Sequence, residues 1–204
     1  EGEALRDAIL QSAGTLNPAM GGPSIRVPLE PEVYDTIFTE GEPDNLWPVH
    51  PDPRQHVRRS LYLLRKRNVR LPMFAVFDQP DMMSSCGARG ESVHALQALT
   101  LLNSDFMRDQ SIALATRLAT ECKGDEQRML DRLFLLTQTR PPTEAERRAA
   151  ERFLRDQKSI IGERLRRGEP VTRLKSDLLP PAAAAAWVDL CLAAFNLNEF
   201  VYVS

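Results

Sequence analysis

Proline placement constrains this chain more than any other feature. Eight of its 15 prolines, from Pro18 to Pro53, crowd the stretch 17–53 together with Gly21 and Gly22. Proline fixes φ and removes an amide donor, so no long helix and no central strand can run through such a stretch. A structureless spacer would fit that texture. However, Ile25, Val27, Leu29, Val33, Tyr34, Ile37, Phe38, Leu46 and Trp47 make it too apolar for one. The stretch is expected to be extended, with one short helix near Glu32 to Phe38, and to wrap like a strap over a helical body.

The segments around the strap read as helix. Ala4, Leu5, Ala8 and Ile9 share a face over Glu3 to Ser12, and Gly14 stops the run. The string RRSLYLLRKR, Arg58 to Arg67, reads as a helix, with a strand as the alternative for so short a run. Leu71 to Phe77 is expected to be extended and Asp78 to Glu91 to be a polar loop. Val93 to Asn103 predicts a largely buried helix. Asp105 to Cys122 predicts another, with Ile112, Ala115, Leu118 and Ala119 as its stripe, and Asp125 to Thr137 a third. Thr143 with Glu146 three residues on has the spacing of a capping box. It opens a charged outer helix to about Arg167, whose thin apolar seam is Ala149, Phe153, Ile160 and Ile161. Ala182 to Phe195 is strongly apolar and predicts a central, buried helix.

The fold class that follows is mainly α: a compact helical bundle with an extended Pro/Gly-rich N-terminal strap. One domain is expected over 1–204, made of a helix and strap (1–53), a basic helix and polar loop (54–92) and a helical core (93–204).

Charge and motif content exclude several functions. With 26 basic and 28 acidic residues the formal charge is −2, which argues against nucleic-acid binding by bulk charge. The longest apolar candidate for a bilayer span, Ala182 to Trp187, is far too short. Three scattered cysteines, Cys86, Cys122 and Cys191, do not make a disulfide framework. There is no C-x-x-C-H for haem attachment, no H-E-x-x-H, no G-x-S-x-G and no glycine-rich phosphate loop opening a helix. No cofactor is expected in this chain.

The densest group of reactive side chains lies between Phe77 and Asn103: Asp78, Asp81, Cys86, Arg89, Glu91, Ser92, His94, Gln97 and Asn103. Asp78 and Asp81 have the chemistry of an acid/base pair or, with Cys86, of a metal site. The bland alternative is structural. The aspartates cap turns, Arg89 bridges them and Cys86 is a small buried apolar group. Arg58, Arg59, Arg65 and Arg67 in the basic run could grip an oxyanion, since guanidinium groups pair with such groups bidentately. The bland alternative is better supported: acidic residues at Glu40, Glu42, Asp44, Asp78 and Asp81 are available partners and the overall charge is near zero. The absence of catalytic motifs favours a structural or docking role over an enzyme. The alternative is an enzyme or ligand-binding domain for a carbohydrate or anion, using the 78–92 loop and the 54–70 run.

The string RRSLYLLRKRNVRLPMFAVFDQPDMMSSCGARGESVHALQALTLLNSDF resembles the signature of a planctomycete domain of unknown function. The opening EALRDAILQSAGTLNPAMGGPSIR and the ending AWVDLCLAAFNLNEFVYVS are similar to that family's lead-in and finish, while His94 departs from its pattern. The resemblance implies the C-terminal module of a large exported protein, periplasmic or at the cell surface. Its neighbours would be other domains of the same polypeptide, among them a cytochrome-c-like domain carrying haem, with carbohydrate as a possible ligand. It implies no established activity, and within that group its motif positions single out Asp78, Asp81, Cys86, Arg89, Ser92, Gln97 and Asn103.

Overall fold

The computed structural model describes residues 1–30, 33–34, 47–67, 69–81, 83–90 and 92–202. Among them the chain is mainly helical, with no strands. The helices are α1 (Gly2–Ala13), α2 (Pro53–His56), α3 (Pro72–Val76), α4 (Ala95–Asn103), α5 (Asp105–Cys122), α6 (Glu126–Gln138), α7 (Glu144–Arg166), α8 (Pro181–Phe195) and α9 (Asn198–Val201). The chain forms two compact units, Glu1–Gln11 with Leu16–Thr100, and Ser12–Thr15 with Leu101–Ser204. No helix is long and apolar enough to cross a membrane among the described residues.

In the first unit, α1 buries Leu5, Ile9 and Leu10, while Ala4 and Ala8 face solvent. The apolar face is therefore rotated from the one expected, because the helix also turns Arg6 inward. Gly2 sits where a Cβ would lie 3.1–3.3 Å from Phe74 and Phe77, so the start of α1 packs hard against α3. Residues 17–30 are extended, as the prolines require. Ile25 exchanges backbone bonds with the 60–64 segment: its N–H donates to Tyr62 O (2.8 Å), and its carbonyl accepts from Leu64 N (2.8 Å). That pairing explains why Arg58 to Arg67 is not a helix. It holds only a 3₁₀ turn at Ser60–Tyr62, with Leu61 exposed and Leu63 buried against Val27 and Phe74. Leu71 to Phe77, expected to be extended, is instead helical over Pro72–Val76. Pro72 stands at the first helical position, where its fixed φ suits a helix and its missing N–H costs nothing. The helix expected near Glu32 to Phe38 falls almost wholly outside the described residues.

α4 is not the buried helix expected. Only Gln97 and Leu101 turn inward, and Val93, Leu96, Leu99 and Leu102 are exposed.

The second unit follows the helical periodicity. α8 is its centre: it packs on α5, α6 and α7, and Trp187, Cys191 and Phe195 have no exposure at all. α5 buries Leu114, Ala115, Leu118 and Ala119, and α6 buries Met129, Leu130, Leu133 and Phe134. Ser104 and Asp125 cap α5 and α6, and Lys123 with Gly124, both left-handed, end α5. A Cβ at Gly124 would lie 2.9 Å from the Leu178 carbonyl oxygen, so both conformation and space demand glycine there. The Thr143–Glu146 capping box is complete. The α7 seam is Ala150, Leu154 and Ile161, not Ala149 and Ile160, which are exposed: the first set keeps the 3.6-residue period.

Candidate functional site

The residues singled out between Asp78 and Gln97 build a closed loop. α3 ends at Val76, and Asp78 adopts a left-handed conformation (φ 56°) that turns the chain out of the helix. Asp tolerates this because its short side chain can bond locally. The Asp78 carboxylate accepts from Ser92 N (2.7 Å) and Ser92 Oγ (2.8 Å), which joins the two stems of the loop. Those bonds hold Asp78 below the ordinary carboxylate range. The buried Gln97 side chain adds a second tie: its Nε2 donates to Val76 O and Ser92 O, both at 2.9 Å. Asp81 accepts from Met83 N, Ser84 N and Ser84 Oγ at 3.0–3.1 Å, a local turn that also lowers its pKa.

Arg89 does not bridge the two aspartates. It grips Glu3 on α1 with both terminal nitrogens, at 2.9 and 3.0 Å. Glu3 also takes Gln79 Nε2 at 3.3 Å and pairs with Arg65. Burial would raise the Glu3 pKa, but the bonds from Arg89 and Gln79 outweigh it and bring the carboxyl down to about 2. Cys86 is exposed, not buried, and its thiol donates to Ala88 O (3.0 Å). Asn103 is exposed at the end of α4 and belongs to the second unit. Asp78, Asp81 and Cys86 each face a different local partner. No group of three His, Cys, Asp or Glu able to hold a metal gathers among the described residues.

The basic run divides by burial. Arg58 is buried; it donates to Ala19 O and Gly21 O, and its guanidinium lies 3.8 Å above the Tyr62 ring. Tyr62 Oη in turn accepts from Gly21 N (2.8 Å), so the Gly-Gly turn is held from both sides of one cation–aromatic stack. Arg59 makes a loose pair with Asp7 at 3.8 Å, and Arg67 is exposed. Glu40, Glu42 and Asp44, expected as partners, lie outside the described residues. A small cleft of about 20 Å³, floored by Val27, Leu63 and Phe74 and edged by Arg65, Lys66 and Arg70, has room for about one water.

The residues that organise all this were missed in the sequence: Glu3, Arg6 and Asp7. Arg6 is 5% exposed, and it donates to His56 O (2.6 Å), Arg58 O (2.9 Å) and Ser60 Oγ (3.1 Å). Burial pushes it down to about 10, against the opposing pull of Asp7, so it stays charged at neutral pH. Asp7 accepts from Ser60 N (2.8 Å) and Ser60 Oγ (2.7 Å). The signal available was their spacing, three and four apart on one helical face. One turn of α1 thus holds the 56–60 segment through Arg6 and Asp7, and the 65, 79 and 89 positions through Glu3.

The site and fold together define a mainly helical domain whose charged side chains at the site are engaged by partners within the chain. Residues 1–154 match the profile of the PSD1 family, described as a protein of unknown function (DUF1553), and the chain belongs to that family. No curated protein and no solved structure matches the chain.

Proposed function

We propose that the domain is a non-catalytic structural and docking module of a larger exported protein, one that also carries a cytochrome-c-like domain. The observation that supports this reading is the engagement of the 78–92 loop. Asp78, Asp81 and Arg89, the groups fit for acid/base or anion chemistry, are each held by partners within the chain. A carboxyl acting as general acid or base works best with a pKa near its working pH and needs a free face toward substrate. Both aspartates are instead shifted down and bonded to serine and backbone donors. The export and the cytochrome partner rest on the family resemblance of the sequence.

The test is turnover. Purified protein is incubated with glycan, aryl ester and aryl sulfate substrates, alongside Asp78→Ala and Arg89→Ala. No turnover by any of the three proteins is expected, with lowered thermal stability in both variants. Turnover by the wild type that is lost in the variants would establish the enzyme reading instead.

A further inference from the structure

The second unit carries an open groove of about 480 Å³, a size typical of ligand-binding clefts, lying between the end of α5, one face of α6 and Pro141. It lies apart from the 78–92 loop in sequence and shares no residue with it. We propose that this groove docks an acidic segment of a partner protein in which carboxylate and aliphatic side chains alternate; the inference rests on the docking reading above and gives it a surface.

The charge pattern selects that partner. The carboxylates lining the groove are already engaged: Glu121 takes Arg117 at 2.6 Å and Arg132 at 2.7 Å, and Asp131 pairs with Arg147. Asp125, at the mouth of α6, is engaged in capping Gln127 N and Arg128 N. Arg128 lines the groove, is exposed, and has no ion pair among the described residues. An incoming cation would therefore meet neutralised acids and an unpaired guanidinium, whereas an incoming carboxylate meets an open one. The floor is apolar. Leu135 is about half exposed, Pro141 lies beside it, and Cys122 is buried with a thiol that burial holds neutral. An aliphatic side chain adjoining the carboxylate would cover Leu135 and Pro141 from water.

The test is a titration of the isotope-labelled protein, followed by NMR, with a short synthetic peptide of alternating Glu and Leu and a Lys–Leu peptide as control. The Glu–Leu peptide is expected to shift resonances of Arg128, Leu135 and their neighbours, and the Lys–Leu peptide to leave them in place. Arg128→Glu should weaken binding about tenfold, and Leu135→Ser about threefold. Arg152→Glu changes the net charge equally, at an exposed α7 position outside the groove, and should leave affinity unchanged. Equal weakening by Arg128→Glu and Arg152→Glu, equal binding of both peptides, or no shift at the groove would overturn the proposal. So would soluble polygalacturonate occupying the groove more tightly than the peptide, since the ligand would then be an acidic polysaccharide. A silent groove removes this inference alone; the docking reading falls separately, on turnover.

Discussion

In the unit of Leu101–Ser204, helices with caps at both ends close around α8, and the largest side chain, Trp187, is wholly buried. In the other unit, most of the described residues between 17 and 92 lie outside helices. Order there comes from side chains that reach main-chain atoms 50 or more positions away, Arg6 to the carbonyls of His56 and Arg58 being the clearest case. The contrast teaches two solutions to one requirement. Every buried amide and carbonyl needs a partner. A helix supplies it locally, whereas a proline-rich stretch must receive it from elsewhere, here from guanidinium, carboxylate and carboxamide groups of α1 and α4.

The heaviest loss is expected in the apolar unit. Trp187→Ala removes the side chain at its centre and should cost about 3–5 kcal/mol, read from denaturant unfolding. A cost below about 1 kcal/mol would mean that α8 is not the core on which that unit depends. In the other unit, Arg6→Met keeps the length and loses the donors. It leaves the His56 and Arg58 carbonyls without their partner, while the Ser60 hydroxyl keeps Asp7, and should cost about 3 kcal/mol. Hydrogen exchange should rise at 56–60, whereas a merely apolar role for Arg6 would leave that exchange unchanged.

Acid sharpens the contrast, because each unit holds a glutamate brought down to about 2. Arg89 and Gln79 bring Glu3 to about 2, and Arg140 with Thr143 brings Glu146 to about 2, both from 4.5. A carboxyl whose folded pKa is depressed stabilises fully above its unfolded value and loses that stabilisation as pH falls through the folded one. The contribution of these two carboxyls should therefore be flat above about pH 4.5 and decline toward pH 2, with Glu3→Gln and Glu146→Gln each removing part of the decline. The smallest effect is local: Thr143→Ala should cost about 1 kcal/mol and fray the first turn of α7, seen as faster exchange at Glu146 and Arg147.

The apolar unit was legible in the sequence and the other was not, for a physical reason. Apolar spacing of three and four, Ser104 and Asp125 as caps, and the Thr143–Glu146 pair are all local marks of α5, α6 and α7. A bond from Arg6 to Ser60, or from Trp47 Nε1 to Val27 O, leaves no period to read. The pairing of Ile25 with the 60–64 segment likewise overrode a string that locally reads as helix. In α4, Leu96, Leu99 and Leu102 suggested burial, yet the inward face was set by the Gln97 carboxamide and Leu101. At the site, the fastening role of Asp78, Asp81 and Arg89 was one of the readings available. The partner of Arg89 could not be read, because Glu3 stands 86 residues away.

The most direct measurement is a double-mutant cycle between Glu3 and Arg89, using Glu3→Gln, Arg89→Gln and the double variant in denaturant unfolding. If the charged loop serves to tie main chain in place, each single change destabilises the protein and the pair couples by about 1 kcal/mol. Two neutral single variants with no coupling would contradict that account and leave Arg89 free for a ligand.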